Sequence, residues 1–179
     1  METVIFYDDK KSSCRQYAEE LMKYEDVICK KASEYQNKTV IFELDNHVGF
    51  LFESENGKIP KAITHVICST VMGKKETPIL IVTGGGREIK AIKSAKDTLN
   101  TRGYSIKNIY TKYVFDKYDY NVIAAVRQIM SDVENQKENL LFKDKTRGLS
   151  SKQLKKHIRM EVKAYKSYRK KIRRKEKGD

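Results

Sequence analysis

Residues 78–100 read PILIVTGGGREIKAIKSAKDTLN, and this stretch holds the two periodicities from which the chain is built. Pro78 to Thr83 is the most apolar run in the sequence, rich in β-formers and of the length expected for a strand buried on both faces. It runs straight into Gly84, Gly85 and Gly86, after which Ile89, Ile92, Ala95 and Leu99 recur at the spacing of one helical face. Gly103 behind Arg102 is an ordinary helix stop. Strand, glycine turn and amphipathic helix together make the repeating element of an α/β domain.

The same alternation appears on both sides. Toward the N-terminus, Val4 to Tyr7 is a short run of β-formers, and Cys14, Ala18, Leu21 and Met22 follow at helical spacing. Ser13 with Gln16 three residues later reads as a capping box, which starts that helix at Ser13. Val27 to Cys29, Thr39 to Leu44 and His47 to Phe52 are further strand candidates, the last two parted by a turn at Asp45-Asn46. Pro60 suits the first turn of a helix through about Cys68, because its missing N–H would have no partner there. Toward the C-terminus, Ile109 to Val114 fits a strand. Val122 to Asn139 fits a helix with Val122, Val126, Ile129 and Val133 inward. Strands separated by helices of this length predict a three-layer α/β sandwich around a parallel sheet of about five strands.

The chain has 179 residues, enough for one ordinary core and a tail. Its formal charge of +13 is unevenly placed. Residues 143–179 hold 16 of the 37 Lys+Arg and 4 of the 24 Asp+Glu, a net of +12; residues 1–142 hold the other 21 and 20, a net of +1. The reading is therefore a domain over residues 1–142 and a basic tail over 143–179. In the tail Gly148 frees the chain, and Leu149, Ser150, Gln153 and Leu154 read as a staple and capping box. Leu154, Ile158, Val162, Tyr165 and Ile172 recur at helical spacing among lysines and arginines, which predicts a basic amphipathic helix. No apolar run is long enough for a membrane span, and METVIFYDD is not a signal peptide, so a soluble, cytoplasmic protein is expected. Cys14, Cys29 and Cys68 form no CxxC, and His47, His65 and His157 show no metal spacing. Reduced, mostly buried thiols and no metal site are expected.

In a parallel sheet, ligands collect beyond the carboxyl ends of the strands. Three turns qualify: Asp8 to Ser13, Glu53 to Lys58, and Thr83 to Arg87. Strand one with its turn, GFLFESENGKIP at 49–60 and PILIVTGGG at 78–86 resemble the flavodoxin-like family of bacterial modules, over roughly residues 3–138. The resemblance implies FMN as cofactor and an electron-transfer or FMN-dependent redox role with a redox partner protein. No residue is singled out as catalytic. The family's first turn reads Ser/Thr-x-Thr-Gly-Asn-Thr and wraps the FMN phosphate. Here Asp8 to Ser13 stand in those places, with hydroxyls at Ser12 and Ser13 and Lys11 in the glycine's position. The implied phosphate residues are Lys10, Lys11, Ser12 and Ser13, and Asp8 and Asp9 would repel the same phosphate unless they point away. The family's second turn, Phe-Pro-Val-Tyr-x-Gly-Gly-x-Pro, is matched at Phe52, Gly57 and Pro60. Glu53, Ser54, Glu55 and Asn56 fill the stretch between, without the aromatic that stacks on flavin. The third turn matches best: Thr83, Gly84, Gly85 and Gly86 resemble Thr-x-Gly-Gly, whose N–H groups approach the flavin's pyrimidine edge.

Each feature also has a plainer reading. Three glycines permit a tight turn, Lys10 to Ser13 suits a solvated turn with a helix cap, and Glu53 and Glu55 suit a solvent-facing loop. Tyr110, Tyr113, Tyr118 and Tyr120 stand where they could replace the missing stacking ring, or serve the core. Two functions of different class follow. One is the FMN-binding redox module. The other is a flavin-free flavodoxin-like protein acting through residues 143–179 on nucleic acid or an acidic protein partner, with Tyr165 and Tyr168 among its cations.

Overall fold

The structure is a computed structural model that describes residues 2–42, 46–73, 77–106 and 108–139, together with Lys163, Ser167 and Lys170. The chain divides into two units, Met1–Lys143 and Asp144–Asp179.

The first unit is built on one sheet of five parallel strands: β1 (Thr3–Tyr7), β2 (Val27–Lys31), β3 (His47–Ser54), β4 (Ile79–Gly85) and β5 (Asn108–Thr111). Their spatial order is β2-β1-β3-β4-β5, the flavodoxin-like arrangement of doubly wound sheets. The period-2 alternation of side chains sends each strand's residues to opposite faces. Val4, Phe6, Phe50, Phe52, Leu80 and Val82 enter one core layer, and Ile5, Tyr7, Leu51, Ile79 and Ile81 enter the other. The first layer is covered by α2 (Lys61–Ser69) and α3 (Glu88–Thr101), through Ile63, Val66, Ile67, Ile92 and Leu99. The second is covered by α1 (Ser12–Leu21) and α5 (Val122–Glu134), through Cys14, Ala18, Leu21, Val126 and Ile129. The three-layer α/β sandwich read from the sequence is the observed fold.

Several elements differ from the expectation, each for a local reason. Among the described residues 39–42 of the strand expected over Thr39 to Leu44, Val40–Ile41 is a strand and pairs with Thr70–Val71 outside the main sheet; residues 43–45 lie outside the described residues. The outer place beside β1 goes instead to Val27–Lys31. The strand expected to reach Val114 ends at Thr111, where the threonine hydroxyl accepts the Val114 N–H and caps a short helix, α4 (Lys112–Lys117). α5 ends at Glu134 instead of Asn139, whose side chain donates to the Ile109 carbonyl. α1 begins at Ser12 with Lys11 as its N-cap and no side-chain cap, so the Ser13–Gln16 capping box does not form. Among the cysteines, Cys14 is buried, Cys29 half-buried and Cys68 exposed, all free thiols. Burial pushes the Cys14 thiol up to about 11 and that of Cys29 to about 12.

In the second unit Lys163, Ser167 and Lys170 are helical and exposed, at positions i, i+4 and i+7 of one helical face. The expected cap and apolar stripe of the tail lie outside the described residues. Among the described residues no helix is long and apolar enough to cross a membrane.

Candidate functional site

The carboxyl ends of β1, β3 and β4 bring all three turns to one rim, because the strands are parallel and adjacent. The meeting point is Ser13, in the first turn of α1. Its hydroxyl donates to Glu53 Oε2 at 2.7 Å and lies 2.9 Å from Thr83 Oγ1. With its single proton on Glu53, Ser13 accepts the proton of Thr83. The Cys14 thiol lies 3.4 Å from that same threonine oxygen. One hydroxyl therefore joins three turns that are 40 and 70 residues apart in sequence.

The local backbone explains why Glu53 and Thr83 meet. Phe52 pairs with Val82 but Ser54 pairs with Gly85, so Thr83 and Gly84 lie opposite Glu53 alone. Such a bulge re-aims the side chains at a strand end. The second turn then folds back on itself: Glu55 and Lys58 exchange backbone hydrogen bonds at 2.9 and 3.1 Å around Asn56 (φ 52°) and Gly57 (φ 89°). Positive φ at both central residues is the geometry that an Asn-Gly hairpin turn favours. Ser54 ties this hairpin to the glycine turn, accepting from Gly57 N at 3.0 Å and donating to the Gly86 carbonyl at 2.7 Å. Lys11 Nζ reaches Glu55 Oε1 at 3.7 Å, a part-exposed pair that adds little energy but links the first turn to the second.

The first turn is satisfied from within. Lys10 N–H donates to Asp8 Oδ1 at 3.3 Å, and Lys11 N–H donates to the Asp8 carbonyl at 3.2 Å. Asp8 is only 2% exposed, and its Oδ2 is buried with no hydrogen-bond partner. Burial raises its pKa, against the pull of the Lys10 N–H and the Lys11 charge; Glu55 and Asp9 push the same way as burial. Asp9 turns the other way and takes the Ser33 N–H and hydroxyl at 3.2 and 2.9 Å. Its pKa is lowered: burial opposes the shift, and the Ser33 hydrogen bonds outweigh it.

These contacts decide how the residues suit FMN. The hydroxyls of Ser13, Ser54 and Thr83 already have protein partners, and a buried carboxylate stands in the phosphate turn. Gly85 lies so close to Ser54 that an added Cβ would be 2.1 Å from the Ser54 carbonyl oxygen, so the second and third turns touch backbone to backbone. Lys10, Ser12 and Asn56 are exposed at the rim and Gly84 is buried in it. As they stand, the twelve positions taken from the resemblance form one cluster that fits a flavin phosphate poorly.

A second group at the same end of the sheet is not apparent from sequence. Glu88, in the first turn of α3 and 4% exposed, accepts the Lys112 N–H at 3.0 Å and so helps to cap α4. Lys112 Nζ bonds Asp116 Oδ1. Burial pushes the Glu88 carboxyl up to about 8, with Asp116 adding to the rise and the Lys112 N–H opposing it. Between about 4.5 and 8 the folded chain holds a proton there that the unfolded chain has lost, so this contribution to stability falls as pH rises through that window. Thermal unfolding followed from pH 5 to pH 8 is expected to show a falling midpoint that Glu88→Gln flattens; equal slopes for the two proteins would contradict the assignment. Arg87, with φ 56°, precedes Glu88 in a left-handed conformation that no sequence signal announced.

The late tyrosines divide. Tyr110 and Tyr113 are buried, and the Tyr110 hydroxyl donates to Asp132 at 3.1 Å, so they belong to the core. Tyr118 and Tyr120 are exposed, with ring centroids 6.1 Å apart. His47 lies at the opposite end of the sheet, in a cleft of about 230 Å³ with Asn108, Asp132 and Lys137. Among the described residues no group of three or more His, Cys, Asp or Glu could hold a metal ion.

No protein-family model and no curated protein matches the chain. A solved structure, the metal-soaked Flv1 flavodiiron core from Synechocystis sp. PCC6803, is similar at 12% identity and a TM-score of 0.43, over 74% of this chain and 36% of that one. The chain thus spans about a third of the length of that structure. Strand order and register, rather than this likeness, define the fold.

Proposed function

We propose that this is a flavodoxin-like protein that works without flavin, and that its basic segment, residues 143–179, binds the phosphate backbone of nucleic acid. The observation that carries the reading is the partition of charge: a net of +12 in 37 residues beside a domain of net +1. Lys163 and Lys170, exposed on one helical face with Ser167 between them, support this reading, since exposed cations are the groups that bind phosphate. The protein partners already held by Ser13, Ser54 and Thr83 support the same reading from the other side. An FMN-dependent electron carrier is the function that the fold family implies, and the convergence of the three turns favours it. The buried carboxylate in the first turn weighs against it.

Anisotropy of a labelled oligonucleotide, titrated at several salt concentrations, tests the proposal. Affinity is expected to fall steeply with salt, and Lys163→Glu with Lys170→Glu to flatten the slope by roughly 0.9 for each lost phosphate contact. Salt-independent binding, or an unchanged slope in the double variant, would overturn it, and binding only to an acidic protein would assign the segment to the other partner class.

A further inference from the structure

The Asp8 carboxylate calls for an explanation of its own. A charged group that is almost wholly buried normally has a full set of partners, because desolvation without them is costly. Asp8 has one oxygen on the Lys10 N–H and one on nothing. Its position is as notable as its burial. It follows β1 directly, at the carboxyl edge of the sheet, three residues before the N-cap of α1. There, turn amides and the open N–H groups of a first helical turn together favour an anion. The amides of Lys10 and Lys11, which a bound phosphate would need, are both spent on oxygen atoms of Asp8. Lys11, the nearest cation that acts on Asp8, is itself shared with Glu55.

We propose that the Asp8 carboxylate is the resident anion of the first turn, standing where a phosphate monoester would otherwise be held, and that it closes the rim to FMN and to other phosphate monoesters. The closure has a steric and an electrostatic part. The carboxylate fills the turn, and any incoming phosphate meets a like charge, with Glu55 nearby. Exchange for a small hydroxyl removes both parts and returns the Lys10 N–H to the turn.

The test is a titration of the full-length protein with FMN, followed by quenching of flavin fluorescence, with riboflavin as the probe that lacks the phosphate. Wild type is expected to bind neither saturably. Asp8→Ser is expected to gain FMN affinity by at least about tenfold, which corresponds to about 1.4 kcal/mol, with riboflavin unchanged, and Asp8→Asn, which removes the charge but keeps the volume and the acceptor for the Lys10 N–H, is expected to gain less. Asp8→Glu, which keeps the charge, is expected to stay closed. Wild type binding FMN as tightly as Asp8→Ser would overturn the proposal, as would folded Asp8→Ser and Asp8→Asn proteins with no gain. A readout independent of any variant is the Asp8 side-chain carboxyl resonance of the wild type: added inorganic phosphate is expected to leave it unmoved, and a saturating shift would overturn the proposal.

Discussion

Gly85→Ala is expected to destabilise the domain by about 3 kcal/mol or more, with a drop in thermal midpoint on the order of 10 °C. Two independent costs add at this one position. Gly85 has φ 93°, outside the regions that side chains with a Cβ adopt readily. The new methyl would also stand 2.1 Å from the Ser54 carbonyl oxygen and 2.8 Å from its amide nitrogen, both rigid backbone atoms. Relieving that contact means opening the pairing of Ser54 with Gly85 at the end of β3 and β4, and with it the hydrogen bond from Ser54 to Gly86. Gly86→Ala is the internal control. Its Cβ would meet Asn56 at 3.6 Å, an ordinary contact, so a change within about 1 kcal/mol is expected. Denaturant unfolding of the two variants checks the contrast. Equal midpoints would mean that the glycines serve only a loose turn.

The second large effect is all-or-none. The wild-type protein, incubated with excess FMN and then desalted, is expected to remain colourless. Each hydroxyl that the family resemblance would lend to the cofactor in the second and third turns is engaged: Ser54 holds Gly57 and Gly86, and Thr83 holds Ser13. In the first turn Ser13 is committed to Glu53, and a buried carboxylate, Asp8, takes the Lys10 N–H. A flavin would have to break several of these contacts before forming its own, and buried polar groups stripped of partners cost about 1–3 kcal/mol each. The exposed Tyr118 and Tyr120 offer rings for stacking, but stacking alone does not hold a phosphate.

Much of the fold is legible in the sequence because its signals are local. Val4 to Tyr7, His47 to Phe52 and Pro78 to Thr83 are apolar runs whose neighbours on both faces are equally apolar, so period and composition agree. The face of α3 through Ile92, Ala95 and Leu99 is equally plain, down to Gly103 with φ 86°. The errors fall where a distant residue decides a local matter. Ser13 looks like a cap, but Glu53 and Thr83 claim its hydroxyl. Ile109 to Val114 looks like one strand, but Thr111 and the distant Glu88 turn its second half into a helix. Val27 to Cys29 and Thr39 to Leu44 both read as strands, but the first pairs with β1 in the main sheet while Val40–Ile41 pairs with Thr70–Val71 outside it.

The candidate site was legible as a set of positions and not as chemistry. Parallel topology alone predicts that turns after adjacent strands converge, and they do. The tight hairpin at Asn56-Gly57, with positive φ at both residues, was not read from the sequence, although the pair is a favoured one for that geometry. Asp8 and Asp9 read alike as charges that would repel a phosphate unless they point away, and nothing in DDKKSS separates Asp9, which accepts from Ser33, from Asp8, which is shut inside. Full burial of one carboxylate and half-burial of its neighbour depend on how the turn packs, with the Asp8 N–H on the Leu51 carbonyl of β3 and Asp9 on Ser33 just after β2.

The protein's own groups hold the rim together where a ligand would otherwise do so. The absorption spectrum of the desalted protein after incubation with FMN tests this most directly. No absorbance in the flavin bands, and no flavin released on denaturation, is the expected result; a yellow protein carrying one FMN per chain would contradict it.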